Sequence, residues 1–190
     1  MRKLVYYMAV SLDGYIAGPG GEYDFYPTTD AYTAWMTERF PDTIPTRFRE
    51  MVGVADVPNK NFDTVIMGLG TYLPGLADGM TSPWANLEQY VVSTSLEKID
   101  DPAVTLVRDP FALVRELKQR EGKDIWLAGA AKLAGSLLSE IDQLIIKRYP
   151  VLAGAGIPLI TGEFQPTQFT PTENVLCDNG AYVTWYDRKQ

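Results

Sequence analysis

Apolar runs dense in β-branched and aromatic residues alternate along the chain with amphipathic stretches. Leu4 to Val10 is apolar throughout and stops at Ser11-Leu12-Asp13-Gly14, which predicts a buried first strand closed by a turn. Tyr15-Ile16-Ala17 adds a short extended piece, ended by Gly18-Pro19-Gly20-Gly21. Thr29-Asp30 caps a helix expected from Ala31 to Phe40, with Trp35 and Met36 turned to the core and Pro41 as its stop. A weaker helix is expected from Thr46 to Val52. Phe62 to Met67 reads as an interior strand, and Tyr90 to Ser93 and Val104 to Val107 as two more. Between them, Leu73 to Leu87 holds two prolines and two glycines without a clear period and reads as a long surface loop. Asp109-Pro110 opens a helix through Glu121, with Gly122 as the stop. A strand (Asp124 to Ala128), a helix (Ala130 to Glu140) and a strand (Leu144 to Val151) follow. Two late strands lie near Gln168–Thr172 and Ala181–Tyr186.

Strands therefore alternate with helices up to Val151, and only strands come after. That order predicts an α/β fold, with a mostly parallel central sheet and an antiparallel C-terminal edge. The 190 residues suit one domain, and a chain of this length buries roughly 70% of its unfolded surface. Lys plus Arg total 17 against 24 for Asp plus Glu, a net charge of -7, which argues against nucleic acid or an anionic membrane as partner. The absence of histidine excludes Ser-His-Asp and Cys-His catalysis and His-ligated zinc, and no metal site is expected. A single cysteine, Cys177, excludes an intrachain disulfide, suits a reducing compartment and reads as a small packing group. No apolar run approaches the ~18 residues of a membrane span, and Met1 to Tyr7 lacks a signal-peptide pattern. The expected location is the cytoplasm.

Candidate chemistry gathers where strands end. Ile125-Trp126-Leu127-Ala128-Gly129-Ala130-Ala131-Lys132-Leu133 is a strand, glycine turn and helix, in which small residues let a phosphate approach the first helical amides. The same residues also serve tight helix-on-sheet packing. Val65-Ile66-Met67-Gly68-Leu69-Gly70-Thr71-Tyr72 repeats the logic at a second strand end, the edge where open α/β sheets bind ligands. Ser93-Thr94-Ser95 offers three hydroxyls at a third, with a turn or cap role as the alternative. Asp13 either caps its own turn or serves as a carboxylate that orients or protonates a heterocycle. Tyr15, Tyr23, Phe25 and Tyr26, with Asp24 among them, either wall a flat-ring pocket or pack beneath a glycine-rich loop. The Lys147-Arg148 pair is expected on an exposed face.

Ser11 to Ala17, Val65-Ile66-Met67-Gly68-x-x-Thr71-Tyr72, Tyr90-Val91-Val92-Ser93 and Pro150 to Leu159 occur in that order. Together they resemble the dihydrofolate reductase-like family, in its branch similar to the C-terminal reductase domain of the riboflavin-biosynthesis deaminase-reductase. The resemblance implies a three-layer α/β/α fold with a mixed sheet of about eight strands. It also implies hydride transfer from NADPH or NADH to a small pyrimidine-like, pterin-like or carbonyl substrate. Ala9 and Ile16 would then lie beside the nicotinamide. Gly68, Leu69, Gly70 and Thr71 would hold the phosphates from one side, and Gly129, Ala130, Ala131, Lys132 and Leu133 from the other. Ser93 and Thr94 would approach the adenosine, and Asp13 would sit on the substrate side with Tyr15, Tyr23, Asp24 and Phe25. A homodimer through the C-terminal β segment is implied by likeness.

Three positions depart from the family pattern. Leu69 and Thr94 stand where relatives commonly carry arginine, and Gly129-Ala130 stands for a Gly-Gly pair. Each lost charge-assisted bond removes ~1.5–3 kcal/mol, or one to two decades of affinity. The sequence thus also fits a non-catalytic nucleotide- or flavin-binding module that keeps the reductase fold. The His-x-Glu and Pro-Cys-x-x-Cys motifs of the partner deaminase are absent. Asp30 and Glu38, near the first long helix, lack the apolar flanks expected of a pteridine-facing carboxylate.

Overall fold

A computed structural model describes residues 1–129 and 131–189. Ten strands and five α-helices follow one another as β1 (Leu4–Val10), β2 (Tyr15–Ala17), α1 (Asp30–Arg39), α2 (Thr46–Arg49), β3 (Phe62–Gly68), α3 (Leu69–Ala77), β4 (Glu88–Val92), β5 (Val104–Val107), α4 (Pro110–Gln119), β6 (Asp124–Leu127), α5 (Ala131–Ser136), β7 (Gln143–Arg148), β8 (Ile157–Pro158), β9 (Phe169–Leu176) and β10 (Tyr182–Arg188). Eight strands form one sheet in the order β5-β4-β3-β6-β1-β7-β10-β9; β2 and β8 pair separately. The first six run parallel, β10 pairs antiparallel with β7, and β9 antiparallel with β10. This is the mixed, mostly parallel sheet with an antiparallel C-terminal edge that the order of apolar runs predicts.

The parallel strands are apolar on both faces because helices cover both. Side chains alternate across β1. Val5 and Tyr7 join Phe40, Tyr72, Trp126 and Trp185 on one side, against which Trp35 and Met36 of α1 pack. Leu4 and Tyr6 join Val114 and Leu117 of α4 and Leu133 and Leu137 of the α5 region on the other. Each such aliphatic side chain stabilises the fold by about 1.5–3 kcal/mol through burial. The N-cap side chains expected for α1 and α4 are in place: Thr29 accepts from the Tyr32 amide and Asp109 from the Ala112 amide.

The structure corrects several boundaries. Residues 69–77 form α3, so the Leu73–Leu87 loop begins only after Ala77. Pro74 is tolerated inside this helix because tertiary packing overrides propensity: Tyr72 is buried and donates to the Thr81 carbonyl at 2.9 Å, and Gly75 is buried against Pro83. The second helix is one turn, Thr46–Arg49. The helix expected to reach Glu140 ends at Ser136 and is followed by a 3-10 turn, Leu138–Glu140. β9 runs from Phe169 to Leu176, four residues beyond the expected end at Thr172. Its residues are mostly exposed and it holds Pro171, as suits an edge strand. Arg148 is exposed but Lys147 is not. Its ammonium lies 4.2 Å from the Tyr7 ring centroid, so the pair does not share an exposed face.

Candidate functional site

Parallel pairing brings the carboxyl ends of β1, β3, β4, β6 and β7 to one edge of the sheet, and the glycine junctions meet there. The Gly68 amide donates to the Gly129 carbonyl at 2.8 Å, and the Ala128 amide to the Ile66 carbonyl at 2.9 Å. Gly129 holds a φ of 115°, and a Cβ there would lie 3.1 Å from Met8 Cε and 3.2 Å from Thr71 Oγ1. A side chain at this position would be strained and crowded, so glycine is required for the two junctions to touch.

α3 starts immediately after β3, with Gly68 as its N-cap, and among the described residues no side chain caps its first amides. Gly70 is exposed, and a Cβ built on it meets nothing within 4 Å. The amides of Leu69, Gly70 and Thr71 thus begin a nine-residue helix beside open space, which suits an anion. Across the gap, Ala131 and Leu133 are buried and Lys132 is exposed. Ala130 lies outside the described residues.

At the β4 end, Ser93 is buried and its Oγ accepts from the Ser95 and Leu96 amides at 3.2 and 3.0 Å, a turn-forming role; Thr94 is exposed. Sequence reasoning missed Arg108 here. From the end of β5 its guanidinium donates to the Ser93 and Leu96 carbonyls, with no carboxylate in ion-pair contact among the described residues. Its signal was faint: one cation following a strand whose neighbour was known only after pairing.

On the β1 side, Asp13 is exposed and engaged by its own turn and by the 150s loop. Its carboxylate accepts from Ser11 Oγ at 2.5 Å and from the Ala153 and Gly154 amides at 3.0 and 2.7 Å. These bonds, Ser11's foremost, lower its pKa to about 2, so at neutral pH it is an acceptor and not a proton source. The same bonds pin the 150s loop across β1, helped by the Leu12 amide on the Val151 carbonyl at 2.7 Å. Ala9 and Ile16 are half-buried near this turn. Tyr26 Oη donates to the Tyr15 carbonyl at 2.8 Å, and Phe25 lies on Tyr26 with ring centroids 4.4 Å apart. Tyr15, Phe25 and Tyr26 thus come together, whereas Tyr23 and Asp24 are exposed. Tyr26 in turn covers Tyr149 at 4.5 Å, and Tyr149 shares a hydrogen bond with Tyr32 of α1. Burial raises the pKa of all three hydroxyls, which stay protonated at neutral pH. Cys177, half-buried, also has its thiol pKa pushed up by burial and is no thiolate.

Two surface grooves, about 530 and 590 Å³, lie apart from this edge. One follows the outer flank of α1, where Asp30 and Glu38 point away from the sheet, and the other sits at the amino ends of β1 and β6. Among the described residues no helix is long and apolar enough to cross a membrane, and no cluster of acidic or thiol side chains is grouped to hold a metal.

Comparison with known proteins bears on the fold and the family. Two Bacillus subtilis proteins, both uncharacterized, are similar over 165 residues: YwjB at 34% identity, covering 83% of this chain and 82% of its own, and YyaP at 31%, covering 83% and 80%. A putative riboflavin biosynthesis protein from Shewanella sp. PV-4 superposes with a TM-score of 0.72 at 23% identity, over 100% of both chains. A diaminohydroxyphosphoribosylaminopyrimidine deaminase/5-amino-6-(5-phosphoribosylamino)uracil reductase from Thermotoga maritima superposes at 0.64 and 16% identity, over 99% of this chain but 57% of that one. These superpositions establish the shared fold. The family model described as the RibD C-terminal domain matches residues 2–183. The chain belongs to the RibD C-terminal domain family.

Proposed function

We propose that the protein is a nicotinamide-dinucleotide-dependent reductase of a small heterocyclic or carbonyl compound. The observation that carries this reading is the uncapped start of α3 at Gly68, set beside Gly129 with open space above Gly70. Amides so placed hold a diphosphate without guanidinium help, since the helix start carries partial positive charge. The residues present fit such a group: Gly70 has open space where a Cβ would stand, and among the described residues no side chain caps the helix start.

When bound, the reduced nicotinamide supplies the hydride. The chain's own part is placement. Leu69, Gly70 and Thr71 would hold the phosphates from one side and the start of α5 from the other. Arg108 supplies at the adenosine end the positive charge that Leu69 and Thr94 do not. Ala9 and Ile16 would lie beside the nicotinamide, next to the 150s loop that Asp13 pins. Asp13 orients the turn and donates no proton. Alignment of this kind is the main requirement of hydride transfer, so the lack of histidine is no obstacle.

The test is to mix purified protein with NADPH and a panel of pyrimidine-diones, pterins and imines and follow loss of the reduced nicotinamide. Sustained oxidation with at least one of them is the expected result. Saturable NADPH binding with no turnover across the panel would favour the non-catalytic nucleotide-binding reading that Leu69 and Thr94 motivate.

A further inference from the structure

Lys147 is the charged group that the account so far leaves unused. It lies on β7 directly opposite Ala9 of β1 and Val183 of β10, near the carboxyl end of the sheet. Its ammonium sits over the face of Tyr7, itself stacked on Phe40 at 4.7 Å. No hydrogen bond or ion pair reaches it among the described residues, yet its nitrogen is not sealed off from solvent.

Among the described residues, the elements around it offer no neutralising charge. α1 turns Tyr32, Trp35 and Met36 towards the sheet, while its acids Asp30 and Glu38 face the outer groove. Tyr149 and Tyr7 are held protonated by burial, as is Cys177 beyond them. Asp42, the carboxylate whose field reaches Tyr7, spends its oxygens on the amides of Lys60, Asn61 and Phe62. A half-buried cation without a counter-charge is costly in the free protein. A ligand oxyanion beside the ammonium would remove that cost.

We propose that Lys147 is the substrate-anchoring cation of this site and selects a planar oxyanion, a ring carboxylate or enolate, laid beside Ala9. This inference rests on the reductase reading for the place of the hydride donor, but not for the anion site itself. Burial lowers the lysine's pKa to about 8, so a large fraction is the neutral, nucleophilic amine at pH 8.

The test uses trinitrobenzenesulfonate, itself a flat anionic ring, at pH 8, with modified lysines mapped by mass spectrometry. Lys147 should react at least about tenfold faster than exposed Lys123, given the larger neutral fraction of an amine with lowered pKa. Orotate, a ring carboxylate, should slow the labelling, and uracil, the same ring without the carboxylate, should not. Lys147→Met, matched in length, should keep the parent melting temperature and lose the orotate-dependent change in tryptophan fluorescence while still binding NADPH. Labelling no faster than at Lys123, equal labelling with and without orotate, or an unchanged orotate response in Lys147→Met would each overturn the proposal. The two readings separate cleanly. An orotate-protected Lys147 in a protein that ignores NADPH leaves the anion site and removes the reductase; NADPH binding with an inert Lys147 does the reverse.

Discussion

At the residue scale the site is defined by which polar groups are already spent. Asp13 has its oxygens committed to Ser11, Ala153 and Gly154, so its service is to hold two loops together. The sign of its pH effect follows. Its folded pKa lies below the ordinary 3.8, so its stabilisation is fully present above about pH 4 and is lost as pH falls towards about 2. The gap in melting temperature between the parent and Asp13→Asn should therefore stay constant from neutral pH down to about 4 and close between there and 2. A gap that persists at pH 2 would mean that the ionised carboxylate is not its source. Arg108 is the opposite case, a guanidinium whose partners among the described residues are carbonyls. Arg108→Ala should weaken NADPH binding by one to two decades, the worth of a charge-assisted bond of ~1.5–3 kcal/mol, and leave NADH almost unchanged. Equal losses for both dinucleotides in calorimetry would show that it serves the fold and not the 2′-phosphate.

At the element scale, α3 carries the account. Gly70 sits in its first turn with free space where a Cβ would go. Gly70→Ala should therefore stabilise the protein by about 0.5–1 kcal/mol in urea denaturation, since alanine favours helix. The same methyl group would stand in the phosphate's place and cut NADPH affinity by roughly tenfold, about 1.4 kcal/mol. Opposite signs in the two measurements distinguish a ligand cradle from a packing glycine. The elements also show how far the sequence could be read. The strands β1, β3, β4 and β6 were legible because both faces are covered, which leaves an uninterrupted apolar signature. α3 was not, because Pro74, Gly75 and Gly79 signal a loop and only the burial of Tyr72 overrides them. β9 was half-legible: an exposed edge strand with Pro171 has no buried face to impose alternation. The glycine junctions are visible as motifs; Arg108 is not, and Lys147 is visible but reads as exposed, since the surroundings of both are set by strand pairing.

At the scale of the whole molecule, the sheet order places β1 between β6 and β7, so the turn after β1 lies between the phosphate cradle on one side and Lys147 on the other. A dinucleotide along the carboxyl edge would cross the ends of β4, β3 and β6 and finish over β1. Binding across so many elements couples to global stability. At a hundredfold excess over its dissociation constant, NADPH should stabilise the fold by about 2.7 kcal/mol, a rise in melting temperature of roughly 5–10 °C for a chain of this size.

The measurement closest to the central claim is a titration of the intact protein with NADPH, followed by tryptophan fluorescence, because Trp126 and Trp84 lie on the sheet face below the cradle's strands. The account predicts a saturable change with one site per chain, weakened in Gly70→Ala and in Arg108→Ala. A flat response, or saturable binding that neither substitution alters, would contradict it.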